Sequence, residues 1–259
     1  MSDRQLGTQR VGFAVAVAAF SFFDFRDFDI VGLLIRIFVM CLSLSLHECA
    51  HSWIALRLGD DTSALMGRLS LNPARHLDPL GALTFLLIGV GWAKPVPVNP
   101  TRMTKAKSMK HGMMLTSLAG PVSNLLLAVV SWTLFCVIWT ILSAVGVVSN
   151  LMLTLSRLFL TLYSANVLLA VFNLLPVPPL DGSRVFGFLL PDRYLDTVMR
   201  YERYIGMAFL VFVFVFRNAF TTLLSWILVP FNYAIQYPIT LLFRAIQSAL
   251  GYVPMPFFM

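Results

Sequence analysis

Apolar positions run with little interruption through residues 30–58, 113–148, 151–175, 205–229 and 233–250. At 1.5 Å per helical residue such runs are long enough to cross a hydrocarbon layer about 30 Å thick. Leu80 to Trp92 is apolar too, but at thirteen residues it is too short to cross alone and reads as a half-span or re-entrant segment. Between these runs lie a polar interlude, 60–77, with Gly67, Asn72 and Pro73, and the stretch Lys94-Pro95-Val96-Pro97-Val98-Asn99-Pro100, which cannot be helical and is expected to be extended. Pro176, Pro178 and Pro179 end the 151–175 run, and Asp181-Gly182 opens a short helix to about Leu190. A basic and aromatic stretch, Arg193 to Arg203, precedes the last two runs, the first of which contains Arg217. No internal repeat is present. The pattern predicts an all-α polytopic membrane protein with about five or six transmembrane segments and a small re-entrant β-hairpin-like segment. Residues 30–250 form one transmembrane domain in this reading, 1–29 an N-terminal interfacial or short anchoring segment, and 251–259 a C-terminal tail.

Composition agrees. Of 259 residues 58% are hydrophobic and 12% charged, where soluble domains carry about 25% charged residues. The net charge of +7 does not indicate nucleic acid, because the basic residues lie mostly in loops between apolar runs, where they suit the positive-inside pattern and anionic lipid heads. The densest cluster, Arg102, Lys105, Lys107 and Lys110, places its loop on the cytoplasmic side. Cys41, Cys49 and Cys136 all fall in apolar stretches and make no disulfide framework. Met1 to Phe23 has no clear small-residue cleavage site, and Asp24, Asp27 and Asp29 follow directly, so it reads as interfacial rather than as a signal peptide.

The chemistry is concentrated in His47-Glu48-Cys49-Ala50-His51, halfway along the first long run. Arg36 and Arg57 bracket residues 37–56, where, cysteines aside, the only ionisable groups are His47, Glu48 and His51. An unpaired carboxylate at that depth costs at least about 2.5–3.5 kcal/mol, so ionisable groups inside a span usually work there. At about 100° per residue His51 lies about 40° around the helix from His47, which puts both imidazoles on one face. Glu48 flanks that face and Cys49 points away. The spacing H-E-x-x-H suits two imidazole ligands for zinc with the glutamate as general base. A coincidental match would normally fall on a solvated helix face, and this one does not.

Zinc held by two histidines needs a third protein ligand. His76, His111 and Asp78 sit in or beside loops. Asp181 follows a long apolar segment at a proline-lined break, and broken helices at membrane depth are tolerated where they line a cavity or pack on protein. Asp181 also has a plain alternative role as N-cap of the helix that follows, the less favoured of the two.

His47-Glu48-Cys49-Ala50-His51, Gly120-Pro121-Val122-Ser123-Asn124 and Asn173-Leu174-Leu175-Pro176-Val177-Pro178-Pro179-Leu180-Asp181-Gly182 together resemble the site-2 protease family. The stretches Gly67 to Pro73, His76 to Pro79 and Gly91 to Pro100 resemble its compact bacterial members, and the likeness covers roughly residues 30–190. The resemblance implies an intramembrane zinc metalloprotease of the regulated-proteolysis type. It would have His47, His51 and Asp181 on the metal, Glu48 as general base, and Asn173 orienting substrate or the oxyanion. Asn173 also has a plain role, satisfying backbone beside the proline break. Asn124 reads as a helix-packing residue. No PDZ or CBS domain fits in this length.

Substrates would be transmembrane segments of other proteins, met in the lipid bilayer of a bacterial cytoplasmic membrane. A helical peptide bond is shielded by its own hydrogen bonds and must be unwound to be cut. Pro95 and Pro97 strip donors from one edge of the 94–99 segment while Val96 and Val98 keep theirs on the other, so that edge is free to pair with an unwound substrate. The segment reads equally as a structural hairpin. Two other functions use the same residues: a metal or ion transporter with a midplane His/Glu/Asp site, and a pseudoprotease that binds without cutting. The missing repeat weighs against the first and the intact Glu48 against the second.

Overall fold

The computed structural model describes residues 29–79, 94–145 and 149–252. Helix α1 spans Ile30–Arg57, the short turn α2 Thr62–Leu65, α3 Met109–Val145 and α4 Asn150–Asn173. Then come α5, Asp181–Gly187; α6, Asp192–Arg200; α7, Glu202–Val215; and α8, Arg217–Ala249. The described residues contain no strand. Among the described residues four helices, α1, α3, α4 and α8, are long and apolar enough to cross a membrane. Large apolar side chains stand exposed along them, Leu34, Phe38, Leu126, Val130 and Trp226 among others, as lipid-facing surfaces require.

The described chain groups into two compact units. One contains Leu125–Leu168 with the chain up to Val39 and from Thr221 onward. Polar pairs staple its helices. Trp132 Nε1 donates to Thr240 Oγ1 at 3.1 Å, Tyr163 Oη to Asn232 Oδ1 at 2.6 Å, and Gln247 Nε2 to Thr140 Oγ1 at 2.9 Å. In lipid, where apolar contact alone gives little driving force between helices, such bonds and close packing hold spans together. The second unit contains Met40–Asn124 and Leu169–Phe220. Here α1 buries small residues, Ser43, Ser45, Ser52 and Ala55, which let other backbone come close. Phe172, Phe209, Phe212 and Phe220 form an aromatic cluster with ring centroids 5.9–6.4 Å apart.

Two boundaries differ from those expected. The break between the last two apolar segments falls at Phe216, before Arg217, and not between Val229 and Tyr233. Pro230 and Pro238 both lie inside the continuous α8. A proline ends a helix in water, but a buried or lipid-embedded helix re-satisfies the freed carbonyl locally and continues. Likewise α3 starts at Met109 and carries Pro121 in its interior. The expected re-entrant segment, 80–92, and residues 1–28 lie outside the described residues.

After α1 the chain turns at Gly59, whose φ of +107° is a left-handed conformation suited to glycine. Asp60 follows and is fully buried. Burial pushes its carboxyl up, but hydrogen bonds from Thr62 and Asn99, with Arg102 nearby, outweigh this and hold it below the ordinary 3.8. The 94–99 segment is not helical, and Asn99 at its end has extended backbone, with φ −111° and ψ 100°. Lys94 N–H donates to His76 O at 2.7 Å at one end, and Asn99 N–H donates to Asp60 Oδ2 at 2.7 Å at the other. His76 is buried and bonds Ser70 O through Nε2 at 2.7 Å, so it is a loop support.

Candidate metal centre

The tilt of α1 side chains brings His47 and His51 together one turn apart, with Nε2 atoms 3.0 Å apart and ring planes at 87°. Asp181 is the first residue of α5, and Leu180, not Asp181, holds the N-cap position. The cap position makes no side-chain bond. Instead Asp181 Oδ2 lies 3.2 Å from His47 Nε2 and 3.3 Å from His51 Nε2. Capping is therefore not what the side chain does. Gly182 lets α5 start here: a Cβ at this position would stand 2.3 Å from both Leu174 O and Leu175 O, at the carboxyl end of α4. Downstream, Arg184 Nη2 donates to both carboxylate oxygens of Glu202 at 2.8 and 3.1 Å, fixing α5 to α7.

The far sides of both rings are engaged. His51 Nδ1–H donates to Thr116 O at 2.7 Å, and His47 Nδ1–H donates to Asn124 Oδ1 at 3.2 Å. These bonds put the protons on Nδ1 and leave both Nε2 lone pairs aimed at each other and at a carboxylate oxygen. Three acceptors facing one another in a buried place repel unless a cation lies among them. Atoms bound at 2.0–2.1 Å to a tetrahedral zinc lie about 3.3 Å apart, and the observed separations are 3.0–3.3 Å. Gly120 completes the cradle, because a Cβ there would stand 2.5 Å from His47 Cε1 and from His51 Nε2. The residues fit a zinc ion. Among the described residues this is the one such His/Cys/Asp/Glu group, and neither Cys49 nor Glu48 belongs to it. Glu48 is half-buried on the flank of the same helix.

Asn124 joins α3 to α1, as a packing residue between spans does, and it does so through a motif histidine. Its side chain is fully buried and turned to His47, 77 positions away in the chain. Outer partners of this kind fix ligand orientation, and their loss costs about 10–100-fold in metal affinity. Asn124→Ala is expected to weaken zinc binding in that range, read by chelator competition. An unchanged dissociation constant would show that His47 needs no such partner. Asn173 ends α4 and is half-buried, Val96 and Val98 are half-buried in the extended segment, and none of the three is in the cluster.

A metal cradle of this kind suits a hydrolase or an ion site, and comparison with known proteins decides between them. Residues 35–215 match the model of Peptidase family M50. The chain belongs to peptidase family M50. A Bacillus subtilis (strain 168) protein named as a zinc metalloprotease, YwhC, is 37% identical to this M50 chain over 214 residues, covering 83% of it and 93% of YwhC. Rip2 of Mycolicibacterium smegmatis, also named as a zinc metalloprotease, is 32% identical over 178 residues, covering 66% and 62%. Rip2 of Mycobacterium tuberculosis (strain Erdman) is 34% identical over 157 residues, covering 56% and 55%. No solved structure matches. This M50 chain is an intramembrane zinc metalloprotease of the site-2 type, and the transporter reading is left without support.

Proposed function

We propose that the protein cuts peptide bonds within or beside the membrane-spanning segments of other membrane proteins, from the cytoplasmic membrane of a bacterium. His47, His51 and Asp181 would hold the zinc and Glu48 would be the general base. The observation that carries this is the convergence of two Nε2 atoms and one carboxylate oxygen within 3.0–3.3 Å, with α1 an apolar helix that supplies both histidines. Residues 30–250 would act as one protease domain with about five or six spans.

Zinc, when bound, polarises a scissile carbonyl and makes water acidic enough to lose a proton near neutral pH. Glu48 takes that proton and delivers it to the departing amine. Asp181 balances the positive charge, and the Thr116 and Asn124 bonds keep the imidazoles from rotating. Asn173, the last residue of α4 before the proline break, would orient substrate.

The substrate must be extended at the cut. Among the described residues no carbonyl accepts from Val96 N–H or Val98 N–H, and in our reading this edge of the 94–99 segment takes an added strand from the substrate. Val96→Pro removes one donor and is expected to lower kcat/KM about three- to tenfold. Unchanged cleavage would remove edge pairing from the reading. The function itself is tested with purified protein in proteoliposomes and a panel of single-span substrates. Cleavage should vanish with a chelator and return with one equivalent of zinc. Persistent cleavage in demonstrably zinc-free protein would sink it.

A further inference from the structure

Asp60 is an odd residue to bury completely. An ionised carboxylate away from water is costly unless its oxygens are filled. Thr62 fills one, its N–H and Oγ1 donating to Oδ1 at 3.0 and 2.5 Å. That half is a local turn of a common kind and would exist at the surface as well. The other half is not local. Oδ2 accepts from Asn99 N–H at 2.7 Å across 39 residues of chain.

This bond sits in a larger seam. Lys105 N–H donates to Leu58 O at 2.9 Å, and Arg102 pairs with Asp61 at 2.6 Å. Thr104 packs so near Gly59 that a Cβ would come within 2.9 Å of its hydroxyl. The carboxyl end of α1, the helix bearing His47 and His51, is thus joined to residues 99–105. Asp60 is where that seam meets the end of the extended segment.

The identity of the captured amide matters. Amides along an extended chain alternate between its two edges. Positions 95, 97 and 99 share one edge and 96 and 98 the other. Pro95 and Pro97 have no N–H, and Asp60 takes the one at Asn99. One edge is therefore emptied of donors, while the donors of Val96 and Val98 on the other meet no acceptor among the described residues.

We propose that Asp60 is a positioning residue for substrate: by holding the Asn99 amide it sets the edge and the height at which 94–99 receives an unwound segment relative to the two histidines. The inference rests on the edge-pairing reading above. It adds that the choice of scissile bond is set from the end of α1. Asp60 touches no reacting atom, so its loss acts on substrate placement and leaves the metal alone.

The test is Asp60→Asn in the full-length protein, in proteoliposomes, against a single-span peptide that the wild type cuts. KM should rise about tenfold with kcat changed less than about threefold. Mass spectrometry should show cleavage spread to neighbouring bonds. Zinc content and the visible spectrum of the cobalt-substituted protein should match wild type. Thr62→Val, which removes only the local hydroxyl donor, should leave KM and cut site unchanged. A shared fall in kcat and cobalt signal would mark Asp60 as merely structural and overturn the proposal, as would wild-type KM and cut site in Asp60→Asn. If Asp60→Asn does not fold, amide exchange in the wild type decides. The Asn99 amide should be protected without substrate, with Val96 and Val98 becoming protected only when peptide is bound. Equal exchange at all three overturns it. A wild type that cuts no membrane peptide would instead strike the proposed function, so the two failures are separable.

Discussion

Glu48→Gln leaves the protein loaded with zinc and cuts its peptidase rate by about 10²–10⁴-fold, the usual contribution of a positioned general base. Glutamine keeps the size of the side chain but cannot take a proton from water. The three atoms that converge on the metal position come from His47, His51 and Asp181, and Glu48 is not among them. Metal content should therefore stay near one per chain while turnover collapses. Folding should hold as well, because the substitution removes a charge from an apolar helix, where charge is costly. Zinc stoichiometry by elemental analysis, paired with single-turnover cleavage, reads both quantities from one preparation. A variant that kept zinc and more than about a tenth of the wild-type rate would mean that the base lies elsewhere.

The part of the site that was readable in the chain is the part whose geometry is covalent or nearly so. His47 and His51 are four residues apart, and helical pitch alone puts them on one face. Asp181 was marked by the prolines before it, which had to stop α4 and left a carboxylate at the break. Asn124 and Thr116 could not be assigned this way. They lie 77 and 65 positions from their histidines, and no spacing rule reports which face α3 turns toward α1. The nearest local signal was Gly120-Pro121 in an otherwise regular apolar helix, a pair that sheds side-chain bulk and one amide just where backbone must approach. The misplaced boundary at Phe216 has the opposite cause. The apolar pattern dips at 230–232, but the helix runs on through Pro230, as lipid-embedded helices can, and the charge of Arg217 is the better clue to the break. That 94–99 is not helical is legible from Pro95 and Pro97, but its anchor is not, since Asp60 looks like any polar residue after a helix end.

Gly120→Ala tests the cradle most severely. The added methyl would sit 2.5 Å from His47 Cε1, 2.5 Å from His51 Nε2 and 2.6 Å from His47 Nε2, distances that real Cβ atoms essentially never show. Something must move by nearly 1 Å to reach ordinary contact. The α3 backbone is interior helix, and the imidazoles are pinned on their far sides by Asn124 and Thr116. Metal bonds tolerate only about 0.2 Å, so neither ring can retreat and remain a ligand. Zinc affinity should fall by more than about 100-fold, beyond the loss expected when only an outer partner is removed, and activity should fall with it. Stability should not follow. Alanine is a better helix residue than glycine by about 1 kcal/mol, which offsets strain at the site. The predicted signature is unchanged helicity and melting with an empty metal site. Gly112→Ala is the matched control in the same helix. Its Cβ would meet Met103 Sδ at 2.5 Å, but that atom lies far along a flexible side chain and can swing away. Gly112→Ala should bind zinc as wild type does. If Gly120→Ala did so too, within about threefold and with full activity, the imidazoles would not stand where this arrangement puts them.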